Sequence, residues 1–465
     1  MPDYLMGKRN IPLDDSWDVI VAGGGPAGCA AAAAAAREGA KTLLLEATGA
    51  LGGMSTSGLV PWFGGYTDGE KIIAKGYAGH VHTRLQEELP HFKETLKERP
   101  LAAPPIDPEI MKRIYDEMVT GAGADILFNT MVASVEQDEH GQAETLIVSN
   151  KNGLTAYKAN VYIDCTGDAD LAAWAGAEVK KGDENGGLQP ATHCFIISNI
   201  DEELLAKGPR IHWFDADSPI WTAVRSNKYP LIEELHACSM KLGPETYGFN
   251  TGHIYGVDNT DPESITESLL HGRQMAGQYF SLFREHLPAF KNAVLSETGS
   301  LMGIRETRRI IGDYCLTVDD YKECRSFPDE ICRNAYGIDV HNCSREKAIA
   351  LTEKTIDELK ERLKRVLNHM EAGKSFGVPY RCLTPRGLDN VLVAGRCIST
   401  DRQANGSIRI MACCLNTGEA AGIAAAMAAA DSGNVHAVRV DKLRETLKAY
   451  GAYLPDPADA GGSHR

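Results

Sequence analysis

One segment, residues 18–46, constrains the fold more than any other. It contains an apolar strand, a glycine turn with Gly23, Gly25 and Gly28, an alanine-rich helix and a second apolar strand that ends at Glu46. Gly23 lets the chain turn tightly, Gly25 leaves room for a pyrophosphate, and Gly28 lets the helix pack closely on the sheet. A carboxylate about 20 residues beyond such a turn is placed to bind a ribose hydroxyl. The segment therefore predicts a Rossmann-like dinucleotide site, although glycine turns also serve ordinary strand-to-helix packing.

A second loop of small residues, 52–58, directly follows the second strand. Such a loop suits FAD better than a nicotinamide, because its backbone can lie along the extended pyrophosphate and ribityl chain. A flexible surface loop is the alternative interpretation. Two later apolar strands, within 161–168 and 390–396, also end in glycine turns. A helix predicted over 406–430 is expected to direct its positive end at the flavin ring.

Most of the predicted cofactor-binding residues lie in these turns and loops, at the ends of these strands or at the start of this helix, and Val132 lies outside these segments. They are Gly23, Gly25, Pro26, Ala27, Gly28, Glu46, Gly53, Met54, Ser55, Val132, Thr166, Gly167, Asp168, Gly395, Arg396, Ser407 and Ile408. Because they lie near both ends of the chain, the FAD-binding domain must be discontinuous.

The predicted fold class is α/β, with a second domain inserted into the first. The FAD-binding domain is predicted over 16–187, with a small excursion at 71–105, and over 376–455 together with the C-terminal helix. Residues 188–375 mix short alternating runs, aromatic segments and a helical stretch, which is typical of an α+β cap or substrate domain. A chain of 465 residues also exceeds the size at which single cores usually stop growing.

Over nearly its whole length the sequence resembles the FAD-dependent oxidoreductases related to the flavoprotein subunits of fumarate reductase and succinate dehydrogenase. The resembling stretches are residues 52–66, 107–109, 164–176, 303–309 and 379–426. The resemblance implies a Rossmann-like FAD-binding domain of the glutathione-reductase type, and it identifies a cofactor rather than a substrate. Relatives usually carry Thr-His-Glu-Ala where this chain reads Thr400-Asp401-Arg402-Gln403-Ala404. A guanidinium does not titrate near neutral pH, so Arg402 cannot replace a histidine that handles protons.

Four residues are predicted to act in catalysis: Arg305, Arg409, His193 and Tyr380. Arg305 lies in an arginine-rich run at 303–309, where it either binds a substrate carboxylate or carbonyl by a two-point fork or joins an ion-pair network through Glu306. Arg409 is predicted to place positive charge near the flavin or the substrate. His193 and Tyr380 have core packing as their alternative.

The predicted reaction is hydride transfer between a small polar substrate and flavin N5, in a direction that the residues do not specify. No second G-x-G-x-x-G occurs, so the electron donor or acceptor is left open. A flavin monooxygenase-type hydroxylase is the first alternative, although the run Gly-Asp-Ala-Ala-His is missing. A flavoprotein electron-transfer subunit that acts with a partner protein is the second.

The formal net charge of −15 disfavours nucleic acid or an anionic membrane as a partner, while it leaves an anionic substrate and a homo-oligomer open. No secretory signal or membrane span is evident, which predicts a cytoplasmic protein. Among twelve cysteines, Cys315, Cys324, Cys332 and Cys343 occur at spacings unlike those of zinc or iron-sulfur sites, and Cys413 and Cys414 are adjacent in a predicted buried helix. Buried free thiols and no metal site are predicted, with a metal or cluster at the first four and a redox-active pair at the last two as the alternatives.

Overall fold

The computed structural model describes residues 7–366 and 370–455. The β-strands of this part of the chain are β1 (Leu13–Ala22), β2 (Thr42–Leu45), β3 (Asp125–Leu127), β4 (Met131–Gln137), β5 (Ala143–Asn150), β6 (Gly153–Asp164), β7 (Val179–Lys181), β8 (Phe195–Ser198), β9 (Ser239–Gly243), β10 (Thr246–Phe249), β11 (Val294–Thr298), β12 (Arg308–Ile310), β13 (Glu330–Asn334), β14 (Phe376–Pro379) and β15 (Val391–Val393). The α-helices are α1 (Pro26–Arg37), α2 (Tyr77–Glu88), α3 (Pro90–Glu98), α4 (Pro108–Gly121), α5 (Asp170–Trp174), α6 (Glu202–Lys207), α7 (Pro219–Val224), α8 (Pro262–His286), α9 (Val318–Lys322), α10 (Arg345–Ile349), α11 (Ile356–Val366), α12 (Arg402–Ile408), α13 (Met411–Ala429) and α14 (Val440–Ala449).

A mostly parallel sheet organises both ends of the chain. Its strands follow the order β3-β2-β1-β6, and β15 pairs in parallel with the C-terminal half of β6. The N-terminal half of β6 pairs instead with β5, which continues antiparallel into β4. Strands covered on both faces need apolar side chains throughout, and β1 accordingly buries Val19, Ile20 and Val21 completely. The predicted α/β architecture with a parallel sheet is confirmed.

The alanine-rich composition of α1 and α13 is explained by how closely the two helices pack. A Cβ atom added to Gly418 would lie 2.1 Å from the Ala27 carbonyl oxygen, and one added to Gly422 would lie 2.2 Å from that of Ala31. Only small side chains permit such an approach of two backbones. The packing brings the N-terminal ends of both helices to the edge of the parallel sheet, beside the glycine turn.

A second, antiparallel sheet of order β11-β8-β10-β9 carries a separate hydrophobic core with α8. Phe195 and Phe249 stack in this core with their ring centroids 5.0 Å apart. The core draws on residues between 191 and 304 and on Leu359, whereas residues 310–332 pack into the core of the parallel sheet. The range predicted for the cap, 188–375, therefore contains segments of both cores, and the division into domains stays a prediction.

The helix predicted over 406–430 is in fact two helices, α12 and α13, with a bend of 92° between them. The Asp401 side chain caps α12 by accepting a hydrogen bond from the Ala404 N–H, and Ile410 between the helices is extended, with ψ of 141°. Within the described residues no single helix is long and apolar enough to cross a membrane. The bent pair of α12 and α13 passes that test only when the two helices are taken together.

Candidate functional site

A cavity of about 370 Å³ opens at the carboxyl ends of the parallel strands. The predicted cofactor residues that line it are Gly23, Gly25, Pro26, Ala27, Glu46, Gly53, Met54, Val132, Thr166, Gly167, Asp168, Gly395 and Arg396. Most residues predicted separately from distant segments thus surround one space. In open α/β sheets this edge is where ligands bind, because the loops and helix starts converge there.

The three glycines of the first turn occupy different environments. Gly23 has a positive φ of 96°, and a Cβ at Gly28 would lie 1.8 Å from the Gly23 carbonyl oxygen. Gly25 differs, because a Cβ added there would meet nothing within 4 Å. Gly25 is also the N-cap of α1, whose first turn contains no acidic residue. The start of this helix is therefore open to an anion in the cavity.

Glu46 is fixed against the glycine turn by two backbone hydrogen bonds. Its Oε2 accepts from the Gly24 N–H at 2.7 Å, and its Oε1 accepts from the Thr48 N–H at 2.7 Å. The carboxylate is only 8% exposed and still lines the cavity. These bonds orient it without using all of its lone pairs, which leaves acceptor capacity for a ribose hydroxyl.

Asp168 ties the cavity to the arginine-rich run. Its carboxylate accepts hydrogen bonds from Thr307, Asn259 and Arg396, the last at 2.9 Å. Burial alone would raise the pKa of Asp168, but the Arg396 guanidinium and the hydrogen bonds hold it below its ordinary value. Arg308 adds a 2.7 Å bond to the Asp168 carbonyl oxygen. Arg308 and Arg396 therefore serve structure at one wall of the cavity.

Glu306 is the centre of an ion-pair network. Its side chain is fully buried and accepts hydrogen bonds from the Gln189 N–H and from the guanidinium groups of Arg309 and Arg402. Arg402 of α12, which stands where relatives usually carry histidine, is thus a structural partner of this carboxylate. The network interpretation of the run is supported for Glu306 and Arg309.

Arg305 points to a different place from its neighbours in the run. Its Nη1 donates to the Pro190 carbonyl oxygen at 2.6 Å and to Thr192 Oγ1 at 3.0 Å. The side chain is 7% exposed. Burial, followed by the like charge of Arg409, lowers the pKa of Arg305 to about 10, so the Arg305 guanidinium is charged at neutral pH.

A second cavity, of about 290 Å³, lies beyond Arg409. Arg409 lines the first cavity, and its Nη2 donates at 2.9 Å to both the backbone oxygen and the Oδ2 of Asp339, which lines the second. The pKa of Asp339 is lowered well below its usual range, since a hydrogen bond from His341 and the charges of Arg409 and Arg305 outweigh its burial. One ion pair therefore connects the two cavities.

Three histidines, His236, His253 and His341, line this second cavity and were missed by the sequence analysis. The first two rings stack with their centroids 4.1 Å apart, and His341 meets both edge-on. Burial lowers the pKa of all three, so the rings are neutral at neutral pH. They are far apart in sequence and form no local motif, so only the tertiary structure shows the cluster.

The family profile of FAD-dependent oxidoreductases matches residues 18–447. The chain belongs to this family. No curated protein matches its sequence significantly. FAD is therefore its cofactor, and the protein is an oxidoreductase.

The solved structures that match this FAD-dependent oxidoreductase do so at low sequence identity. A geranylgeranyl bacteriochlorophyll reductase-like protein from Thermoplasma acidophilum is 12% identical over 95% of this chain and 83% of its own, with a TM-score of 0.41. The p-nitrophenol 4-monooxygenase of Pseudomonas putida is 12% identical over 96% and 91%, also with a TM-score of 0.41. The anhydrotetracycline hydroxylase of Streptomyces rimosus is 12% identical over 93% and 65%, with a TM-score of 0.45.

The residues of the first cavity fit FAD. The open space at Gly25 is a cradle that any larger side chain would fill, and the N–H groups at the start of α1 face an anion there. Gly53, with φ of +49°, brings the second glycine loop close to the first. A Cβ atom added to Gly53 would lie 3.2 Å from the Gly25 Cα. The two glycine loops therefore meet where a pyrophosphate needs backbone on both sides.

Four of the predicted cofactor residues do not line the cavity: Gly28, Ser55, Ser407 and Ile408. Gly28 serves helix packing, and Ser55 Oγ donates to the Gly52 carbonyl oxygen at 2.7 Å. Ser407 donates to the Tyr336 carbonyl oxygen and accepts from Asn334 Nδ2. Because α12 ends before the bend, Ser407 and Ile408 lie behind the start of α13. Arg409 and Met411 line the cavity in their place.

Of the four predicted catalytic residues, only Arg409 lines one of the two cavities; Arg305 lies within electrostatic range of it, whereas His193 and Tyr380 are placed elsewhere. The His193 Nε2 lies 2.7 Å from the Gly299 carbonyl oxygen, and the ring packs against Gly272. The Tyr380 hydroxyl donates to the Val435 carbonyl oxygen at 2.8 Å. Both side chains are buried, so the structure places them as core residues and does not bring them to Arg305 and Arg409.

The cysteines are all free. Cys332, Cys413 and Cys414 are buried as predicted, whereas Cys315, Cys324 and Cys343 are only half-buried and Cys238 is exposed. The prediction of buried thiols was therefore wrong for Cys315, Cys324 and Cys343, which lie in segments close to the surface.

Asp170 at the rim of the FAD cavity makes stability depend on pH. Burial, followed by the charges of Asp168 and Asp164, raises its pKa to about 7. The folded state therefore holds a proton that the unfolded state has released, and this stabilisation is lost as pH rises from the ordinary aspartate range through about 7. We expect the thermal midpoint to fall between pH 6 and pH 8, and to fall less in Asp170→Asn. The exposed Asp217→Asn is the control, and an identical pH profile in Asp170→Asn would contradict this expectation.

Proposed function

We propose that this FAD-dependent oxidoreductase catalyses hydride transfer between flavin and a small, anionic organic substrate. One observation carries the proposal: the guanidinium groups of Arg305 and Arg409, both mostly buried, interact electrostatically, and Arg409 lines the FAD cavity while it pairs with Asp339 of the second cavity. Bound FAD supplies the two-electron donor or acceptor. A Rossmann-like domain of the glutathione-reductase type, with the strand order described above, presents it.

Both arginines retain hydrogen-bond donors for a ligand. In the described part of the chain, Arg305 donates only through Nη1 and Arg409 only through Nη2. Arg409 Nε is buried and has no partner among the described residues. A guanidinium offers five donors in a rigid fork that matches a carboxylate. Two such forks can hold a carboxylate and fix its orientation, which is the main requirement for hydride transfer.

The charge balance at this place also favours an anion. Asp339 is the carboxylate with which Arg409 pairs among the described residues, and burial raises the pKa of a further nearby carboxyl, Glu234, so that it tends towards its neutral form. Two guanidinium groups thus face one firmly ionised carboxylate. Apolar side chains of Met302, Ile304 and Met411 complete this part of the wall and limit access of water, which strengthens the attraction for a negative group.

The first test is the visible spectrum of the purified protein under anaerobic conditions, while small hydroxy, keto, amino and unsaturated acids are added. Bleaching by one of these acids, or reoxidation of chemically reduced flavin by an unsaturated or keto acid, would support the proposal. Bleaching only by NADH or NADPH, accelerated by an aromatic compound, would establish the hydroxylase alternative instead. Reduction only in the presence of a partner protein would establish an electron-transfer subunit.

Replacing Arg305 by methionine should weaken the binding of the acid found in this screen. The KM should rise by about 10–100-fold, which is the effect of losing a hydrogen bond to a charged group. Arg305→Lys should recover part of this loss, because it restores the charge but not the fork. The control is Arg439→Met, whose side chain is 70% exposed. An unchanged KM in Arg305→Met with full FAD content would exclude Arg305 from substrate binding.

A further inference from the structure

We propose that His236, His253 and His341 form a binding site for a divalent transition-metal ion of the zinc class. One nitrogen from each ring lies within 4.8 Å of a nitrogen of each of the others. Zinc binds imidazole nitrogen at about 2.0–2.1 Å, so two ligand atoms on one ion are at most about 4.2 Å apart. Small rotations of the side chains bring the three nitrogens into that range.

Two of these nitrogens lack any other explanation. The Nε2 atoms of His236 and His253 are buried and have no hydrogen-bond partner among the described residues. The His253 side chain is only 8% exposed, so water does not reach it freely. Buried polar atoms in folded proteins nearly always have a partner, and a bound ion is one of the few reasons for an exception.

A carboxylate oxygen lies beside one nitrogen of two of the rings. The His253 Nδ1 lies 3.4 Å from Glu234 Oε2, and the His341 Nε2 lies 3.1 Å from Asp339 Oδ1. Histidines that bind metals characteristically donate their other ring N–H to a carboxylate, which fixes the tautomer and makes the free nitrogen a better ligand. This arrangement leaves Nε2 of His253 and Nδ1 of His341 to face the ion.

Two features of the cluster oppose an ion, and both have a structural answer. Arg305 places a positive charge nearby, but the Asp339 carboxylate, which lies beside His341, acts on Arg305 with the opposite charge. The rings of His236 and His253 are stacked, inclined by only 10° with their centroids 4.1 Å apart, so a single ion cannot lie in both ring planes as they stand. Binding therefore requires the two rings to tilt towards a common point, and neutral imidazoles repel neither each other nor the ion.

The proposed site keeps a coordination position open. The three histidines line a cavity of about 290 Å³, and among the described residues no fourth His, Cys, Asp or Glu side chain is placed to bind the same ion. Three protein ligands with an open fourth position are typical of catalytic rather than structural zinc sites. An oxygen ligand, either water or a carboxylate or hydroxyl of an organic acid, would complete the coordination. Neutral imidazole ligands favour zinc, copper, iron or nickel over magnesium and calcium.

The test measures metal binding by the FAD-loaded protein and does not depend on its redox activity. The protein is freed of metal with a chelator and titrated with Zn²⁺ by calorimetry, and Co²⁺ is followed by difference spectroscopy at wavelengths beyond the flavin bands. We expect one strong Zn²⁺ equivalent per chain and a Co²⁺ spectrum typical of four-coordinate binding. His253→Ala should weaken Zn²⁺ binding by at least about 100-fold, and Glu234→Gln by about 10–100-fold.

The control variant is His140→Ala, whose side chain is 76% exposed and lies outside the cluster. It should bind Zn²⁺ like the parent protein, which separates the site from adventitious binding to surface histidines or to the free cysteines. FAD content and the thermal midpoint show whether each variant is folded, and His341→Gln replaces His253→Ala if that variant fails. The proposal would be overturned if the protein bound no stoichiometric Zn²⁺. It would also be overturned if a folded variant of the cluster, His253→Ala or His341→Gln, bound Zn²⁺ as tightly as the parent protein.

Discussion

A Gly25→Val variant is expected to fold and yet to lose FAD. The Gly25 backbone, with φ of −68° and ψ of −178°, suits any residue, and a Cβ atom added there meets no protein atom within 4 Å. That same open space belongs to the FAD cavity, so the valine methyl groups would occupy volume needed by the cofactor. The bulk of the methyl groups would also separate the cofactor from the N–H groups at the start of α1. We expect FAD affinity to fall by at least about 100-fold, equivalent to about 2.7 kcal/mol.

The measurement is the ratio of flavin absorbance to protein absorbance after purification, followed by titration of the apoprotein with FAD. Gly121→Val is a matched control, because a side chain there also meets nothing within 4 Å but lies on the exposed end of α4. It should retain FAD fully. Full flavin content in Gly25→Val would show that the cofactor does not approach α1 in the way that the cavity indicates.

The FAD cavity could be predicted from the sequence because its determinants are local. Each glycine turn follows directly on an apolar strand, so the contiguous pattern specifies both the strand and the turn that interrupts it. Parallel strands then bring their carboxyl ends to one edge, and residues as distant as Gly23, Thr166 and Gly395 meet there without any further information. The positions of these residues follow from topology rather than from the details of side-chain packing.

The errors arose where one residue changes the geometry. The composition of 406–430 is helical throughout, and nothing in its periodicity shows that the extended Ile410 divides it. This division turns Ser407 and Ile408 away from the cavity. The histidine cluster could not be predicted from the sequence for another reason. Its three members come from separate loops around the second core, and single histidines in loops carry no spacing signal.

The arginine-rich run shows how one segment can divide its side chains between structure and function. Arg308 and Arg309 donate to Asp168, Asp170 and Gly182, while Arg305 donates to Pro190 and Thr192 and interacts with Arg409. A bend of the chain at Thr307 separates Arg305 from β12, which carries the other two arginines.

The largest effect on stability is expected from Glu306→Leu. This substitution removes the fully buried carboxylate that accepts hydrogen bonds from Arg309, Arg402 and the Gln189 N–H, and it leaves the Arg309 guanidinium, with 4% of its side chain exposed, without a charge partner. Breaking a buried pair in this way costs about 3–5 kcal/mol, because the remaining charge stays desolvated. The measurement is the free energy of unfolding by denaturant of the FAD-loaded protein.

Two further variants separate the loss of the ion pair from a change of packing. Replacing Arg309 by methionine in the Glu306→Leu background removes the unpaired charge and should recover part of the loss, which a simple cavity or steric defect would not. Glu94→Leu removes a carboxylate that is 71% exposed and paired with Lys97, and it should change stability by less than about 1 kcal/mol. An equally small effect of Glu306→Leu would mean that solvent reaches Arg309 and that the network contributes little. A large effect that the double variant relieves would show that the Glu306 carboxylate joins α12 to the segment carrying Arg305. The wall of the FAD cavity and the position of Arg305 would then depend on the same buried charge.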